Sequence, residues 1–463
     1  MSPHRNPNNR STSPLAGIGY RRHRRRPLEA TETLGSSMKD SVGRLGVSAK
    51  YARTRIQGIL LAHGWRFLVF SLLMRLPTAM VMLAVMMMLS DQNREATLGG
   101  YAAGTVGLGA ALMIPVYRSI SDRWGQRRIF FTITLLNIMA LLWLMLESLR
   151  FSETANGSIT RFLIACALSG LTTVPLGTVM RSYWSAEYQA TKDRRKLNAS
   201  ISLETIFDVT AIPAGAALAG ITTLALTAQF TLFAVILINV LGLLMLLWRP
   251  ENLPIETRVV SDNPRKPLRG GNRSLIWIPQ VGSVFLGLSL GATQASIVSF
   301  TISTDQMEVT GFLIALLGVS AVAAALFVIF ERLPMFGWSA WIISGIFLTI
   351  TSMMLSLPVS TLGMIPALIG MGLAYGICLV TMDSITASLT ARHNLDLALA
   401  TLQAGSLGGI AVGFVWAADL SGLYNYQVAL LVPILAAVIY FCIGHFYGFR
   451  WRRAYEERLS PLP

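Results

Sequence analysis

The sequence RSISDRWGQRR, residues 118–128, is a short basic loop between two apolar segments at 98–117 and 129–149. Each of these segments is long enough to cross the hydrocarbon core of a bilayer, which needs roughly 20 apolar residues in a helix. A basic loop between two such segments predicts a helical hairpin in a membrane, with its turn at one of the water-facing surfaces.

Apolar segments of similar length recur along the whole chain on both sides of this loop. We predict twelve transmembrane helices, at 64–90, 98–117, 129–149, 159–182, 199–220, 225–248, 275–301, 309–331, 339–357, 361–385, 397–418 and 424–447. A polar, proline-rich and basic segment separates the sixth from the seventh. The predicted fold class is therefore an all-α integral membrane protein with two pseudo-symmetric halves of six helices, an arrangement known in transporters.

The composition agrees with a membrane protein and argues against other classes. Of the 463 residues, 53% are hydrophobic and 13% are charged, whereas a soluble domain has about 25% charged residues. The net charge of +15 could suit a nucleic-acid partner, but the basic residues form short runs between apolar segments, so we predict none. His and Cys show no metal-ligand spacing, and no phosphate-binding loop or catalytic constellation is present. We predict neither a metal site nor an enzyme.

The basic residues also indicate how the helices are oriented. Most of the 38 Lys and Arg fall on one side of the predicted helices, including those of the loop at 118–128 and of KDRRK at 192–196. The exceptions are Arg66, Arg75, Arg94, Arg150 and Arg161. Because Lys and Arg are enriched in cytoplasmic loops, we predict that both termini are cytoplasmic and that the membrane is the inner membrane of a bacterium.

This topology divides the chain into five parts. They are a basic cytoplasmic arm at 1–63, a six-helix half at 64–248, a cytoplasmic linker at 249–274, a second six-helix half at 275–447 and a cytoplasmic tail at 448–463. The first part of the arm is polar and is predicted to be disordered. Its second part either lies as a basic helix on anionic lipid or only fixes the topology.

The loop after the second helix resembles the hallmark loop of the major facilitator superfamily, Gly-x-x-x-Asp-Arg-x-Gly-Arg-Arg. The matching residues are Asp122, Arg123, Gly125, Arg127 and Arg128, whereas Arg118 stands at the first glycine. Gly125 suits a turn with positive φ, and Asp122 can accept hydrogen bonds from a helix N-terminus or pair with an arginine. The resemblance implies that this loop controls the conformational exchange of a transporter.

Further stretches resemble a bacterial group of drug- or sugar-efflux-like transporters within that superfamily. They are RLPTAM at 75–80, PLGTVMRSYW at 175–184, SLETIFD at 202–208, LGATQASIVSF at 290–300 and GSLGGIAVG at 405–413. The resemblance covers nearly all of 64–447. Gln294 and Val209 stand where the group often has acidic residues.

Four ionisable residues inside the predicted helices are candidates for transport or coupling, because a charge in a bilayer is costly unless it faces a cavity or a partner. They are Arg75, Glu204, Asp208 and Asp383. Arg75 precedes Pro77, which should loosen the first helix, and Glu204 and Asp208 lie four residues apart on one helix face. The resemblance implies that helices one, four, seven and ten line a central cavity, with two, five, eight and eleven beside them. Arg75 and the two acids could then meet near the midplane of the N-terminal half.

Each candidate also has a structural alternative. Arg75 and Asp208 could form a buried ion pair that serves folding alone, and Glu204 and Asp383 could cap helices or contact loops. Gln294, a candidate for the substrate cavity, could instead bind a backbone carbonyl. Glycines in the second and eleventh helices could allow close helix contact, either for a moving interface or for ordinary packing.

The function predicted from this resemblance is secondary active transport by alternating access. We expect a monomer that uses a proton gradient and no cofactor to export a small amphiphilic or cationic compound. One alternative is a membrane assembly or scaffold protein that has this fold without transport, similar to photosynthetic-complex assembly factors of the superfamily. The other is proton-coupled uptake of a sugar, a peptide or an organic acid.

The predicted topology can be tested with reporter fusions. Green fluorescent protein placed after Arg195, after Arg265 or at the C-terminus should fluoresce, and alkaline phosphatase placed near Asn156 should be active. An active phosphatase at the C-terminus would show that the number of helices before it is odd.

Overall fold

A computed structural model shows how these segments fold. It describes residues 69, 71–93, 96–153, 158–177, 179–181, 194–248, 273–331, 337–390 and 395–459. The predicted arm at 1–63 and nearly all of the linker at 249–274 lie outside the described residues. The boundaries proposed for these parts therefore stay predictions.

Every regular element in the described part of the chain is a helix. The long helices are α1 (Pro77–Asn93), α2 (Ala96–Trp124), α3 (Gln126–Glu153), α4 (Ile159–Leu171), α5 (Arg194–Ala225), α6 (Ala228–Trp248), α7 (Arg273–Ser303), α8 (Thr310–Glu331), α9 (Gly337–Leu355), α10 (Thr361–Leu389), α11 (Leu395–Leu423) and α12 (Leu431–Leu459). A 3₁₀ turn at Met307–Val309 precedes α8, and a helical turn at Tyr426–Ala429 leads into α12. α12 continues through most of the segment predicted to be a tail.

The prediction of an all-helical membrane protein is confirmed. Within the described ranges, nine helices are long and apolar enough to cross a membrane. Three shorter apolar helices, Pro77–Ser90, Ile159–Leu171 and Ala228–Leu244, lie in the first, fourth and sixth predicted spans. The predicted count of twelve spans is thus supported at full length for nine of them.

The first predicted span is interrupted just before Pro77. Residues 71–73 are helical, residues 74–76 form a turn, and α1 begins at Pro77. Proline lacks the N–H that would continue the helical hydrogen bonds. Its ring also clashes with the carbonyl of the residue four positions earlier in a helix. The amides of Arg75 and Leu76 instead donate to Leu72 and Leu73, at 3.1 and 3.2 Å. The expected loosening of this span is therefore a complete break in the helix.

The fourth predicted span, 159–182, is also interrupted. α4 ends at Leu171, residues 172–175 are not helical, and the chain is helical again at 176–177 and 179–181. Pro175 disfavours helical geometry at the residue before it. The Thr172 and Thr173 amides close the helix end by donating to the carbonyls of Leu168 and Gly170, both at 3.0 Å.

The turn between α2 and α3 has the conformation expected from the hallmark loop. Gly125 has φ +88°, and its amide donates to the Ser121 carbonyl at 3.1 Å. A residue with a Cβ pays a steric cost in this left-handed region, whereas glycine does not. The glycine therefore ends α2 and lets α3 begin at the next residue.

The helices pack as two groups of six. α1 to α6 contact one another, α7 to α12 contact one another, and the two groups meet chiefly where α2 packs on α11 and α5 packs on α8. The outer helix faces expose apolar side chains such as Leu112, Leu136 and Met139. Such faces suit contact with lipid, and the core lies between the helices.

Glycines allow the closest of these helix contacts. Gly100 of α2 lies against Ala418 and Phe414 of α11, and Gly220 of α5 lies against Gly311 of α8. A Cβ on Gly220 would run into the Gly311 backbone. The expected close approach of the second and eleventh helices is confirmed, and it recurs between the fifth and the eighth.

Two adjacent glycines of α11 give a matched test of this packing. A Cβ on Gly409 would overlap the Val284 carbonyl of α7, whereas a Cβ on Gly408 would lie 3.7 Å from the Ala111 Cβ of α2. Gly409→Ala should lower the free energy of unfolding by about 1–3 kcal/mol through overpacking. Gly408→Ala should leave it unchanged or raise it by up to about 1 kcal/mol, because alanine favours helix. Equal melting temperatures of the two variants in detergent would contradict this packing.

Candidate functional site

The break before Pro77 places Arg75 in the interior of the first six helices. Its side chain is 4% exposed, and it lies in a turn where backbone carbonyls are not used by a regular helix. The Nη1 group donates to the Ser71 carbonyl at 2.8 Å and also contacts the Ser71 hydroxyl. The guanidinium carbon lies 5.6 Å from the centre of the Phe207 ring, within the range of a cation–π contact.

Two carboxylates of α5 neutralise this guanidinium. Arg75 Nε donates to Asp208 Oδ1 at 2.9 Å, and Nη2 donates to Glu204 Oε2. The two acids lie one helical turn apart, so both project from the same face of α5. The sequence prediction that Arg75 could meet both acids is confirmed as geometry, while their roles in transport stay predictions.

Asp208 is shared between two arginines. Its second oxygen, Oδ2, accepts a hydrogen bond from Arg181 Nη1. Gly177, which follows the break in the fourth span, lies directly against this carboxylate, and a Cβ there would overlap Asp208. The described cluster therefore contains two guanidinium groups and two carboxylates, and its formal charges cancel.

Arg181 is the functional candidate that sequence reasoning missed. From its position it falls among the basic residues on the loop side of the fourth span, but the structure leaves its side chain only 1% exposed. Its Nη2 lies 3.5 Å from Gln403 Oε1 of α11, at the outer limit of hydrogen bonding. Its Nε is buried and has no hydrogen-bond partner within the described residues. The available signal was the apolar run before it, within PLGTVMRSYW.

The other predicted cavity residues lie in the second group of helices. Asp383 of α10 is partly exposed and lies within electrostatic range of Asp208 and Arg181. It makes no ion pair with the residues that the structure describes. Gln294 of α7 is 4% exposed, and its side chain makes no hydrogen bond in that same part of the chain. Neither residue joins the charge cluster directly.

Glu204 is enclosed among the first six helices. Its side chain is fully buried and is paired with Arg75, so it is a member of the cluster. One turn earlier on α5, Ser200 is buried and its hydroxyl is unpartnered within the described residues. Glu204 is therefore enclosed by the protein, two residues before the stretch Ile206–Ala225 that is long and apolar enough to span a membrane.

The hallmark loop is described only in part. Asp122, Arg123 and Arg127 lie on described backbone, but their side chains lie outside the described set. Arg128 is exposed. In the described ranges, no group of His, Cys, Asp and Glu could hold a metal ion.

The Major Facilitator Superfamily profile matches residues 67–382, which include the charge cluster, the hallmark loop and most of both helix groups. The chain belongs to the major facilitator superfamily. No curated protein matches the chain significantly. As a member of this superfamily, the chain is a transporter-type membrane protein, and the fold class predicted from sequence is the one found.

Solved structures of other major facilitator proteins share this fold. The human organic anion transporter MFSD10 (TETRAN) aligns with a TM-score of 0.59 and 15% identity, covering 81% of this chain and 97% of that one. A point mutant of the nucleoside transporter NupG aligns with a TM-score of 0.60 and 12% identity, covering 82% and 98%. NupG itself aligns with a TM-score of 0.56 at 12% identity, covering 83% and 98%. At these identities the likeness shows the fold alone.

The pairing in the cluster predicts how stability responds to substitution. Arg181→Met should lower the free energy of unfolding by about 3–5 kcal/mol, because it leaves a buried carboxylate without one of its cations. Adding Asp208→Asn should restore much of this loss, since Arg75 and Glu204 then form a balanced pair. Chemical denaturation of the purified protein measures both effects.

A matched control is the Glu147–Arg150 pair of α3, where Arg150 is 65% exposed and the Nη1–Oε1 distance is 3.2 Å. Arg150→Met should cost at most about 1 kcal/mol. If the Arg181→Met single and double variants were equally unstable, Arg181 and Asp208 would not be energetically coupled.

Proposed function

We propose that this protein is a proton-coupled secondary transporter that works by alternating access between its two groups of six helices. The observation that carries the proposal is the shared position of Asp208. It is paired with Arg75 and with Arg181, and Arg181 also reaches Gln403 in the opposite helix group. The charge on one carboxylate is thereby linked to a contact between the two groups.

Protonation of Asp208 would change this contact. A charged carboxylate holds an arginine by short, charge-assisted hydrogen bonds, and a neutral acid holds it much less strongly. A proton on Asp208 would therefore release Arg181, which is then able to change its contacts with Gln403. Loss of the proton would restore the original pairing. Such a group can load a proton in one state and release it in the other, which is what coupling requires.

Asp383 supports a cationic substrate. It is a partly exposed acid of α10 without an ion-pair partner in the described part of the chain, and the two charges of the Arg181–Asp208 pair lie near it. A substrate amine could neutralise this acid, while Gln294 could accept or donate a hydrogen bond. We propose export of a small amphiphilic or cationic compound on this basis.

Anionic or nucleoside substrates are the second candidate. The Nε of Arg181, which has no hydrogen-bond partner among the described residues, could bind an anionic or carbonyl oxygen. The solved relatives include an organic anion transporter and a nucleoside transporter. This alternative would fit uptake as well as export, so substrate class has to be measured directly.

The orientation and energy source complete the proposal. The distribution of Lys and Arg supports two cytoplasmic termini in a bacterial inner membrane. The buried carboxylates support protons as the coupling ion, with no cofactor. The small-molecule substrate and the lipid bilayer are the proposed partners, and we propose that the protein acts as a monomer.

The first experiment identifies the substrate class. Purified protein is heated with a cationic dye (ethidium), with uridine, with a dicarboxylate and with a disaccharide. A ligand that binds the folded state raises its apparent stability, by about 2.7 kcal/mol at one hundred times its dissociation constant. Stabilisation by ethidium alone supports the cationic proposal. Stabilisation by uridine or the dicarboxylate alone would replace it with the second candidate.

The second experiment tests coupling in proteoliposomes, with the compound that stabilises the protein. One unit of pH difference corresponds to about 1.4 kcal/mol per proton, so one-to-one electroneutral exchange should concentrate the compound about tenfold. Asp208→Asn should abolish this accumulation, because the residue no longer titrates, and should leave counterflow of labelled compound measurable.

Arg150→Met serves as the control, because it also removes a charge from a spanning helix but lies far from the cluster in sequence and is exposed. It should accumulate the compound as the unaltered protein does. Uphill transport by Asp208→Asn with an unchanged response to pH would place the proton on another carboxylate.

A further inference from the structure

A small cavity lies inside the first six helices, between the two interrupted spans. It is lined by residues on both sides of the first break, including Met74 and Thr78, and by residues around the second, including Ser169 and Thr173. Asn137 of α3 and Asn239 of α6 complete its polar lining. The cavity is separate from the charge cluster, although Met74 precedes Arg75 in the chain.

The size of the cavity limits its occupant to one small molecule. It offers about 20 Å³ to a water-sized sphere. A buried water needs at least about 10–15 Å³ by this measure and two to four polar partners. The space is therefore sufficient for one water molecule and too small for a substrate.

The polar groups around the cavity are only partly satisfied. Asn137 Nδ2 donates to the Ser169 carbonyl at 2.8 Å and to Thr172 Oγ1 at 3.0 Å, and Asn239 Nδ2 donates to Asn137 Oδ1 at 3.1 Å. No described residue donates to Asn239 Oδ1, and the Thr78 hydroxyl has no partner in that same part of the chain. Asn239 Oδ1 and the Thr78 hydroxyl are thus available to a molecule bound in the cavity.

Two helix ends border the cavity. Thr78 lies in the first turn of α1, where the backbone N–H groups have no carbonyl partner within the helix. Ser169 lies in the last turn of α4, where carbonyls are likewise left over. The Ser169 carbonyl already accepts from Asn137 and from Thr173 Oγ1, the latter at 3.0 Å. The cavity therefore lies between the donor end of one helix and the acceptor end of another.

These features identify the chemical class of the occupant. The lining contains no charged side chain, which argues against an ion, and unpartnered polar groups make an empty cavity costly. We propose that one structural water molecule binds here between Thr78 of the first span and Asn239 of α6. Asn239 is connected to Ser169 of the fourth span through Asn137, so the water joins the two interrupted spans. The inference does not depend on the proposed transport function.

The site would hold two breaks that position the charge cluster. Arg75 follows Met74, and Gly177, which lies against Asp208, follows Leu176; Met74 and Leu176 both line the cavity. A bound water would help to fix the spacing of these two turns, which also share one hydrophobic cluster through Met74 and Leu176. It would also let that spacing change, because a water molecule can re-form its hydrogen bonds when its partners shift.

Radiolytic footprinting of the full protein tests the proposal. X-ray pulses generate hydroxyl radicals from water, and a radical formed in the cavity should oxidise Met74 to the sulfoxide. Met80, which is fully buried on α1 and does not line the cavity, is the internal reference. Met74 is itself only 6% exposed. We expect Met74 to be oxidised at least fivefold faster than Met80.

Two variants distinguish bound water from bulk solvent. Asn239→Leu and Thr78→Val each remove a polar partner with little change in volume, and each should bring Met74 oxidation down to within about twofold of Met80. Thr349→Val, on α9, removes a threonine hydroxyl outside the cavity and should leave Met74 oxidation unchanged. Equal rates for Met74 and Met80 in the unaltered protein would overturn the proposal. So would fast Met74 oxidation that persists in both folded cavity variants.

Discussion

The buried guanidinium of Arg75 is the constraint on which the rest of the site depends. A cation in a low-dielectric interior is tolerated only when it is paired and hydrogen-bonded, and here Glu204, Asp208 and Ser71 supply the partners. This requirement fixes the face that α5 presents to the first span. It also explains why residue 177 is a glycine, since a larger side chain there would displace the Asp208 carboxylate. The second arginine, Arg181, then balances the second acid.

Polar groups inside a bilayer need hydrogen-bond partners within the protein. The helix breaks and the helix contacts both meet this requirement. At Pro77 and Pro175 the backbone leaves regular helix, and the freed groups are met by short turns, asparagine side chains and the arginine cluster. Between the helix groups the backbone stays regular, and glycines such as Gly100 and Gly220 bring the helices close instead. The breaks at Pro77 and Pro175 both lie in the first helix group, where the charge cluster is. Rigid packing surrounds it.

Much of this arrangement could be predicted from sequence because it depends on local patterns. Runs of apolar residues predict the helices, Gly125 predicts its left-handed turn, and the four-residue spacing of Glu204 and Asp208 predicts one shared face. Arg181 could not be placed, because an arginine at the end of an apolar run looks the same whether it faces water or a buried acid. Only the packing of the first, fourth and fifth spans decides between these environments. Asn239 was missed for a similar reason, since one amide hardly alters the hydropathy of α6.

The pairing pattern also explains why Asp208, and not Glu204, is the better candidate for coupling. Glu204 pairs with Arg75, and that contact lies wholly within the first helix group. Asp208 contacts both arginines, and the second of them approaches Gln403 across the interface. Weakening the Asp208 contact frees a group that already reaches the other side. Weakening the Glu204–Arg75 pair would loosen a contact inside the first helix group. A carboxylate couples a proton to movement only if its partner is shared with the moving part, and in the described cluster Asp208 meets that condition.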